Sequence, residues 1–184
     1  MLSVIRRISM TIFETERLVI REWLEGDRPN FYEMSADKDV MKFFPNTLTK
    51  NECDRVVQRL KSLHAKNGCC FWSCEIKESK SFIGLVGLNK IDSELPFAPC
   101  VEIGWRLAKN HWGKGYATEA AKGCLEYGFQ TLNLKEIVSF AVKTNLNSIK
   151  VMERIGMVNT MSNFMHPKVD VEHLKEHVLF KAHV

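Results

Sequence analysis

Trp112-Gly113-Lys114-Gly115-Tyr116-Ala117, continued directly by Thr118-Glu119-Ala120-Ala121, is the stretch on which the reading of this chain turns. Two glycines one residue apart let a backbone turn tightly and approach a ligand with no Cβ in the way. The run from Ala117 to Tyr127 is rich in Ala, Glu, Lys and Leu, so a helix is expected where the glycines stop. A glycine turn feeding a helix N-terminus presents free N–H groups and the positive end of the helix dipole, which suits phosphate or pyrophosphate. A Walker loop needs four residues between its first Gly and a Gly-Lys-Ser/Thr, a spacing missing here. A dinucleotide fingerprint needs a third glycine, and Thr118 stands in its place.

The flanks give this turn its context. Cys100 to Leu107 reads as a strand running straight into the glycine loop, after a loop holding Pro96 and Pro99. Before it, Leu18 to Trp23 reads as a first strand and Pro29 to Ser35 as a short helix, with Asp37 to Phe44 continuing the helical layer. Thr49-Lys50-Asn51-Glu52 is a capping-box candidate, opening a helix with Val56, Val57, Leu60 and Leu63 on one face and Asn67-Gly68 at its end. Phe71 to Lys77 and Phe82 to Asn89 form an expected hairpin, which makes Cys100 to Leu107 the fourth strand. Beyond the central helix come a fifth strand (Glu136 to Val142) and a helix from Asn147 to Ile155 closed by Gly156. A short strand begins at Met157-Val158, and a tail strand runs from Glu176 to Lys181. The expectation is a mixed α/β domain.

With 184 residues, 45% hydrophobic and 26% charged, the chain fits one globular domain with a large core. No apolar run has the length of a transmembrane helix, and Met1 to Arg7 is too short and poorly ordered for a signal peptide. Residues 1–12 read as an N-terminal extension ahead of a domain spanning 13–184, and the expected location is the cytoplasm. Cys53, Cys69, Cys70, Cys74, Cys100 and Cys124 contain no Cys-x-x-Cys pair and read as free thiols in a reducing compartment. A net charge of +4 permits an acidic cofactor but brings no arginine-rich stripe, so neither nucleic acid nor membrane is an expected partner. Monomer and homodimer both stay open.

The glycine stretch resembles the pyrophosphate loop of the GCN5-related N-acetyltransferases (GNAT), Gln/Arg-x-x-Gly-x-Gly/Ala, with Gly115 and Ala117 in its last two fixed positions. Trp112 departs from the usual Gln or Arg, and W-G-K-G-Y-A-T-E-A looks most like the ribosomal-protein (Rim-type) branch. The resemblance covers about Phe13 to Val184. It implies a single-domain GNAT fold: a mixed, mostly antiparallel sheet flanked by helices, with strands four and five splayed around the pantetheine arm of acetyl-CoA. It also implies a cofactor-binding set of Trp105, Arg106, Leu107, Trp112, Gly113, Lys114, Gly115, Tyr116, Ala117 and Asn145. A backbone amide near Trp105 to Leu107, at a bulge, is expected to face the thioester carbonyl.

Attack by an amine needs a base, because free amines are mostly protonated at pH 7. Glu102 shares a strand face with Gly104 and Arg106, and relatives carry a glutamate at the matching place in E-I-G-W-R-L, so Glu102 is the expected general base. Relatives protonate the leaving thiolate from a tyrosine where Met152 stands here, which has no proton to give. Ser148 is the expected replacement. Asn145 and Ser148 are also good helix-capping residues. Glu119 is read as ordering the loop, and Asp37 to Pro45 with Asp92 to Pro99 as the acceptor pocket. His173-Leu174-Lys175-Glu176-His177 matches a metallopeptidase pattern but leads into a strand, so no metal is expected. Phe164-Met165-His166-Pro167 with His177 to Phe180 instead resembles the C-terminal signature of the Rim-type branch. The branch resemblance implies a primary-amine acceptor, first the N-terminal amine of a (ribosomal) protein, with a small amine such as a polyamine, amino acid or antibiotic as the alternative. A non-catalytic acyl-CoA-binding module is the rival reading, kept open by Met152 and Trp112.

Overall fold

A computed structural model describes residues 10–184; the remainder of the expected extension lies outside them. Nine strands form one sheet in the order β1-β2-β3-β4-β5-β6-β9-β7, with β8 also paired to β9. In chain order they are β1 (Thr11–Glu14), β2 (Leu18–Arg21), β3 (Phe71–Ile76), β4 (Phe82–Ile91), β5 (Cys100–Leu107), β6 (Glu136–Val142), β7 (Val158–Asn159), β8 (Phe164–Met165) and β9 (Glu176–His183). Every pairing is antiparallel except β5 with β6. The helices are α1 (Arg28–Ala36), α2 (Lys50–Asn67), α3 (Tyr116–Gln130), α4 (Leu146–Arg154) and the single turn α5 (Glu172–Lys175).

The two helical layers bury opposite faces of the strands. On one face, α3 presses Gly128 against Leu88 and Ile137. On the other, Phe31 of α1 packs edge-on against Trp23. Leu18, Ile20, Trp72, Ile83, Val86, Leu88, Ile103, Ile137 and Phe180 fill the core between these layers. The capping box of α2 is present: the Glu52 N–H donates to Thr49 Oγ1 at 3.3 Å, and Glu52 Oε2 accepts from the Thr49 N–H at 2.8 Å. Gly68, at φ 72°, ends the same helix. All six cysteines are unpaired. No helix among the described residues is long and apolar enough to cross a membrane.

Three expectations are corrected. Residues 11 and 12, assigned to the extension, lie in β1: Thr11 pairs with Arg21 of β2 and Ile12 sits at an irregularity in the register, so the sheet starts before Phe13. Asp37 to Phe44 is not helical: Asp37 is extended (ψ 119°), and the segment folds into turns through Met41 N–H to Asp37 O and Phe44 N–H to Met41 O. The register of β5 on β4 is unbroken from Cys100↔Ile91 to Leu107↔Gly84, so β5 has no bulge. Beyond the expected elements, β8 pairs with β9 and α5 forms one turn before it.

One buried ion network anchors the β2 side of the sheet. Arg21, 6% exposed, bonds both oxygens of buried Asp27 at 2.8 Å and reaches Glu75 at 2.8 Å. Burial opposes its charge, but these carboxylates more than offset that and hold the guanidinium above its usual range. Removing one partner of such a network strands uncompensated buried charge, at a cost of roughly 3–5 kcal/mol. Arg21→Met is therefore expected to lose about that much stability in urea unfolding, while an exposed control such as Arg59→Met changes little.

Candidate active site

The sheet opens between β5 and β6. Their only rung is Glu102↔Val138, supported by Ser139 Oγ donating to Ile103 O at 3.0 Å. Backbone polar groups alternate direction along a strand. Since the Ile103 carbonyl faces β6, the N–H and C=O of Trp105 and Leu107 face the opened gap. The Leu107 carbonyl is taken by Trp112 Nε1 at 2.8 Å, which fixes the indole at the end of the strand. Trp105 thus presents the first backbone amide beyond the last rung.

Directly after this gap the chain enters the glycine loop. Gly113 and Gly115 have φ of 74° and 81°, the left-handed region that disfavours residues with a Cβ. Gly115 is the N-cap of α3 and carries no capping side chain. The N–H groups of Tyr116, Ala117 and Thr118 have no protein acceptor among the described residues, as a helix start dictates. Lys114 is exposed beside them.

A brace from the β1–β2 turn holds this loop. Glu119 accepts from Thr15 Oγ1 at 2.6 Å, from the Arg17 N–H at 2.8 Å and from Arg17 Nε at 2.6 Å. Burial opposes the Glu119 charge, yet these bonds hold its carboxyl below the usual range. Arg17 also donates to Lys114 O and lies 4.6 Å from the Tyr116 ring centroid. Its other terminal nitrogen stands 3.4 Å from where a Gly115 Cβ would be. Arg17 was not singled out from sequence, and it adds a cation to the N–H cradle.

Glu102, Gly104 and Arg106 point to the opposite side, toward α1 and α2. Burial pushes the Glu102 carboxyl from its ordinary 4.5 up to about 7, against a hydrogen bond from Asn89 that lowers it. A Cβ on Gly104 would come within 3.0 Å of the Phe71 ring and 3.6 Å of Glu102 Oε1, so the glycine keeps space open beside the carboxyl. Arg106, expected with Trp105 and Leu107 along the cofactor arm through the strand's backbone, has its side chain among Phe31, Met41 and Phe44.

The same sheet face carries an aromatic cluster that sequence reading did not assemble. Phe97, Phe140, Phe164, His166 and His177 pack with centroid separations of 4.9–6.1 Å. Phe97 lies in the expected acceptor loop, and Phe140 follows Val138 on the Glu102 face. Burial lowers both histidines, and His177 lowers His166 further, so both rings are neutral at pH 7. His177 Nδ1 bonds Lys175 O at 2.9 Å, while His166 Nδ1 accepts from the Lys168 N–H at 3.2 Å. His177 Nε2 is then a free acceptor and His166 Nε2 a donor. His173 sits on α5 and His177 on β9, so the H-x-x-E-H residues do not share a helix.

On α4, Asn145 is the N-cap and accepts from the Ser148 N–H at 3.3 Å. Among the described residues its amide nitrogen has no partner, and neither does the half-buried Ser148 hydroxyl. Met152 is fully buried in the core, where it packs and offers no proton.

Comparison with known proteins matches residues 17–158 to the family model described as an acetyltransferase (GNAT) domain. An uncharacterised N-acetyltransferase of Bacillus subtilis, YnaD, is 34% identical over 144 residues, 78% of this chain and 80% of its own. Among solved structures, a GNAT-family acetyltransferase from Bacillus anthracis superposes with a TM-score of 0.78 at 26% identity, covering 95% of this chain and 98% of the other. RimL, a ribosomal L7/L12 α-N-protein acetyltransferase solved with coenzyme A, superposes at 0.78 with 14% identity, covering 95% and 98%.

Proposed function

The chain belongs to the GNAT acetyltransferase family and is an acetyl-CoA-dependent N-acetyltransferase, and on that premise we propose that its acceptor is the N-terminal α-amine of a protein, ribosomal proteins foremost. The observation that carries this is the Glu102 carboxyl at about 7. A general base works best when its pKa lies near the working pH. An α-amine at about 7.7–8.0 is partly neutral, and so nucleophilic, in the range where Glu102 is ionised, whereas a lysine amine at about 10.4 is almost wholly protonated there. The activity of the RimL neighbour points the same way.

The residues present fit acetyl-CoA. The uncapped N–H groups at 116–118, with Arg17 and Lys114, suit its pyrophosphate, and the β5–β6 gap suits its extended arm. Bound there, acetyl-CoA supplies the thioester that the amine attacks. The Trp105 N–H is the donor assigned to the negative charge that develops on the carbonyl oxygen. Glu102 takes the proton of the attacking amine. The Asn145 amide would hold the arm, and the Ser148 hydroxyl would pass a proton to the departing sulfur while taking one from solvent.

Two substitutions probe these roles. Gly115→Ala imposes roughly 1–2 kcal/mol of left-handed strain on the loop, and the KM for acetyl-CoA is expected to rise about tenfold with kcat nearly kept. Ser148→Ala is expected to lower kcat by about a hundredfold with acetyl-CoA affinity unchanged. The acceptor itself is tested by thiol release with purified enzyme on N-terminal peptides, polyamines, free amino acids and lysine side-chain analogues. Peptide α-amines are expected to lead in kcat/KM. A small amine that turns over faster overturns the acceptor, and cofactor binding without turnover on any amine overturns catalysis.

A further inference from the structure

Arg106 is a cation enclosed by groups that do not neutralise it. It stands on β5 four residues beyond Glu102, on the same face. Its guanidinium lies 5.5 Å from the Phe31 ring centroid and 5.0 Å from that of Phe44, and Nη1 donates to Met41 Sδ at 2.8 Å. No carboxylate among the described residues pairs with it, in contrast to Arg17, Arg21 and Arg28. The ionisable neighbour that acts on it is Cys53, whose thiol burial pushes up and keeps neutral. Burial pulls Arg106 itself down to about 10, so it stays charged at pH 7.

Arg106 is half-buried, and aromatic faces and a thioether only partly make up for the water such a charge loses when it has no counter-ion. A planar guanidinium in that state is a bidentate site for a carboxylate. Its neighbours belong to the segments expected to line the acceptor pocket, since Met41 and Phe44 lie in the turns after α1. The glycine loop, with its own cations and N–H groups, is the separate place for the cofactor phosphates.

We infer that Arg106 is a specificity-determining residue that binds a carboxylate of the acceptor, so that the enzyme selects N-termini with an acidic residue close behind the α-amine. The inference rests on the α-amine reading above. Four residues of strand separate the Cα atoms of Glu102 and Arg106 by about 13 Å. An extended acceptor advances about 3.3–3.6 Å per residue. With its amine at Glu102, the side-chain carboxylate of its second or third residue falls within reach of Arg106.

The test is a matrix of peptides with Asp or Glu at position two or three against the same peptides with Asn or Gln, assayed with native enzyme, Arg106→Gln and Arg106→Lys. Free acidic amines and their amides run as parallel pairs. Native enzyme is expected to favour the acidic peptides at least tenfold in kcat/KM, mostly through KM. Arg106→Gln is expected to abolish that preference while retaining turnover of the amide peptides, and Arg106→Lys to restore part of it. Equal rates on acidic and amide acceptors with native enzyme overturn the inference. So does a preference that survives in Arg106→Gln, or an Arg106→Gln effect confined to the KM of acetyl-CoA. Thermal melting of each variant identifies a fold defect, and the partial rescue by lysine is the readout a packing role does not give. Should free acidic amines turn over in place of peptides with the same Arg106 dependence, the α-amine reading fails and the carboxylate site stands.

Discussion

Glu102→Gln is expected to lower kcat/KM by about 10²–10⁴-fold, the usual contribution of a positioned general base. The pH profile is the sharper readout. In the native enzyme two groups must lose protons before reaction: Glu102, at about 7, and an acceptor α-amine, at about 7.7–8.0. Log kcat/KM should therefore climb with a slope approaching two below pH 7, then one, and level off above about 8. Glu102→Gln removes the lower ionisation and leaves a slope of one set by the amine alone. A profile in the variant that still bends near 7 would assign that ionisation, and the base, to another group. His177 is the next candidate, because its Nε2 is a free acceptor on the same sheet face.

The same substitution reports on stability with the opposite sign. The native carboxyl at about 7 holds its proton more tightly than the unfolded one at its ordinary 4.5. Below about pH 4.5 both states are protonated and the site costs nothing. Between 4.5 and 7 the unfolded chain ionises first, and native stability falls as pH rises. Above 7 the full difference applies, about 3 kcal/mol. Glu102→Gln should thus be less active and, at pH 8, more stable by a few kcal/mol, with the gain fading toward pH 4.5. Urea unfolding at the two pH values measures it, and a gain independent of pH would assign it to packing instead of ionisation.

Legibility in the sequence followed the range over which each feature is encoded. The glycine loop, the strand that feeds it and the capping box at Thr49 were readable because their determinants lie within a few residues. Strands β1 and β8 were not, since four residues and two residues are too few to show a period. Asp37 to Phe44 misled because its apolar spacing mimics a helix, while Asp37 caps α1 in an extended conformation and closes turns instead. The brace on the loop joins Arg17 to Glu119 across 102 residues, and no local signal announces it. Phe140, Phe164, His166 and His177 lie on separate segments that the β6–β9–β8 pairing gathers, and the loop before β5 adds Phe97. His166 and His177 belong to the C-terminal stretch that resembles the Rim-type signature, but their pairing is a property of register.

The heaviest structural loss is expected at a glycine that the sequence gives no reason to single out. Just ahead of β3, the Cys70 carbonyl accepts from the Leu88 N–H of β4 at 3.1 Å, next to the Phe71↔Gly87 pair. A Cβ on Gly87 would lie 2.0 Å from the Cys70 oxygen and 2.7 Å from the Phe71 Cα. Both are backbone atoms, so no rotamer relieves the clash and β3 must move off β4. At this crossing of the two strands the Phe71 ring also lies against Gly104, beside Glu102. Gly87→Ala is expected to cost upward of about 4 kcal/mol, in the range kept for strain that a fold cannot absorb. A domain of ordinary stability holds only about 5–15 kcal/mol in total, so the variant should be largely insoluble or melt far below the parent. Gly113→Ala is the control, since nothing lies within 4 Å of its Cβ position and only the strain of φ 74° applies, about 1–2 kcal/mol. Comparable melting of the two variants would show that β3 and β4 have slack at this crossing, and Phe71 would then be free to leave the cleft.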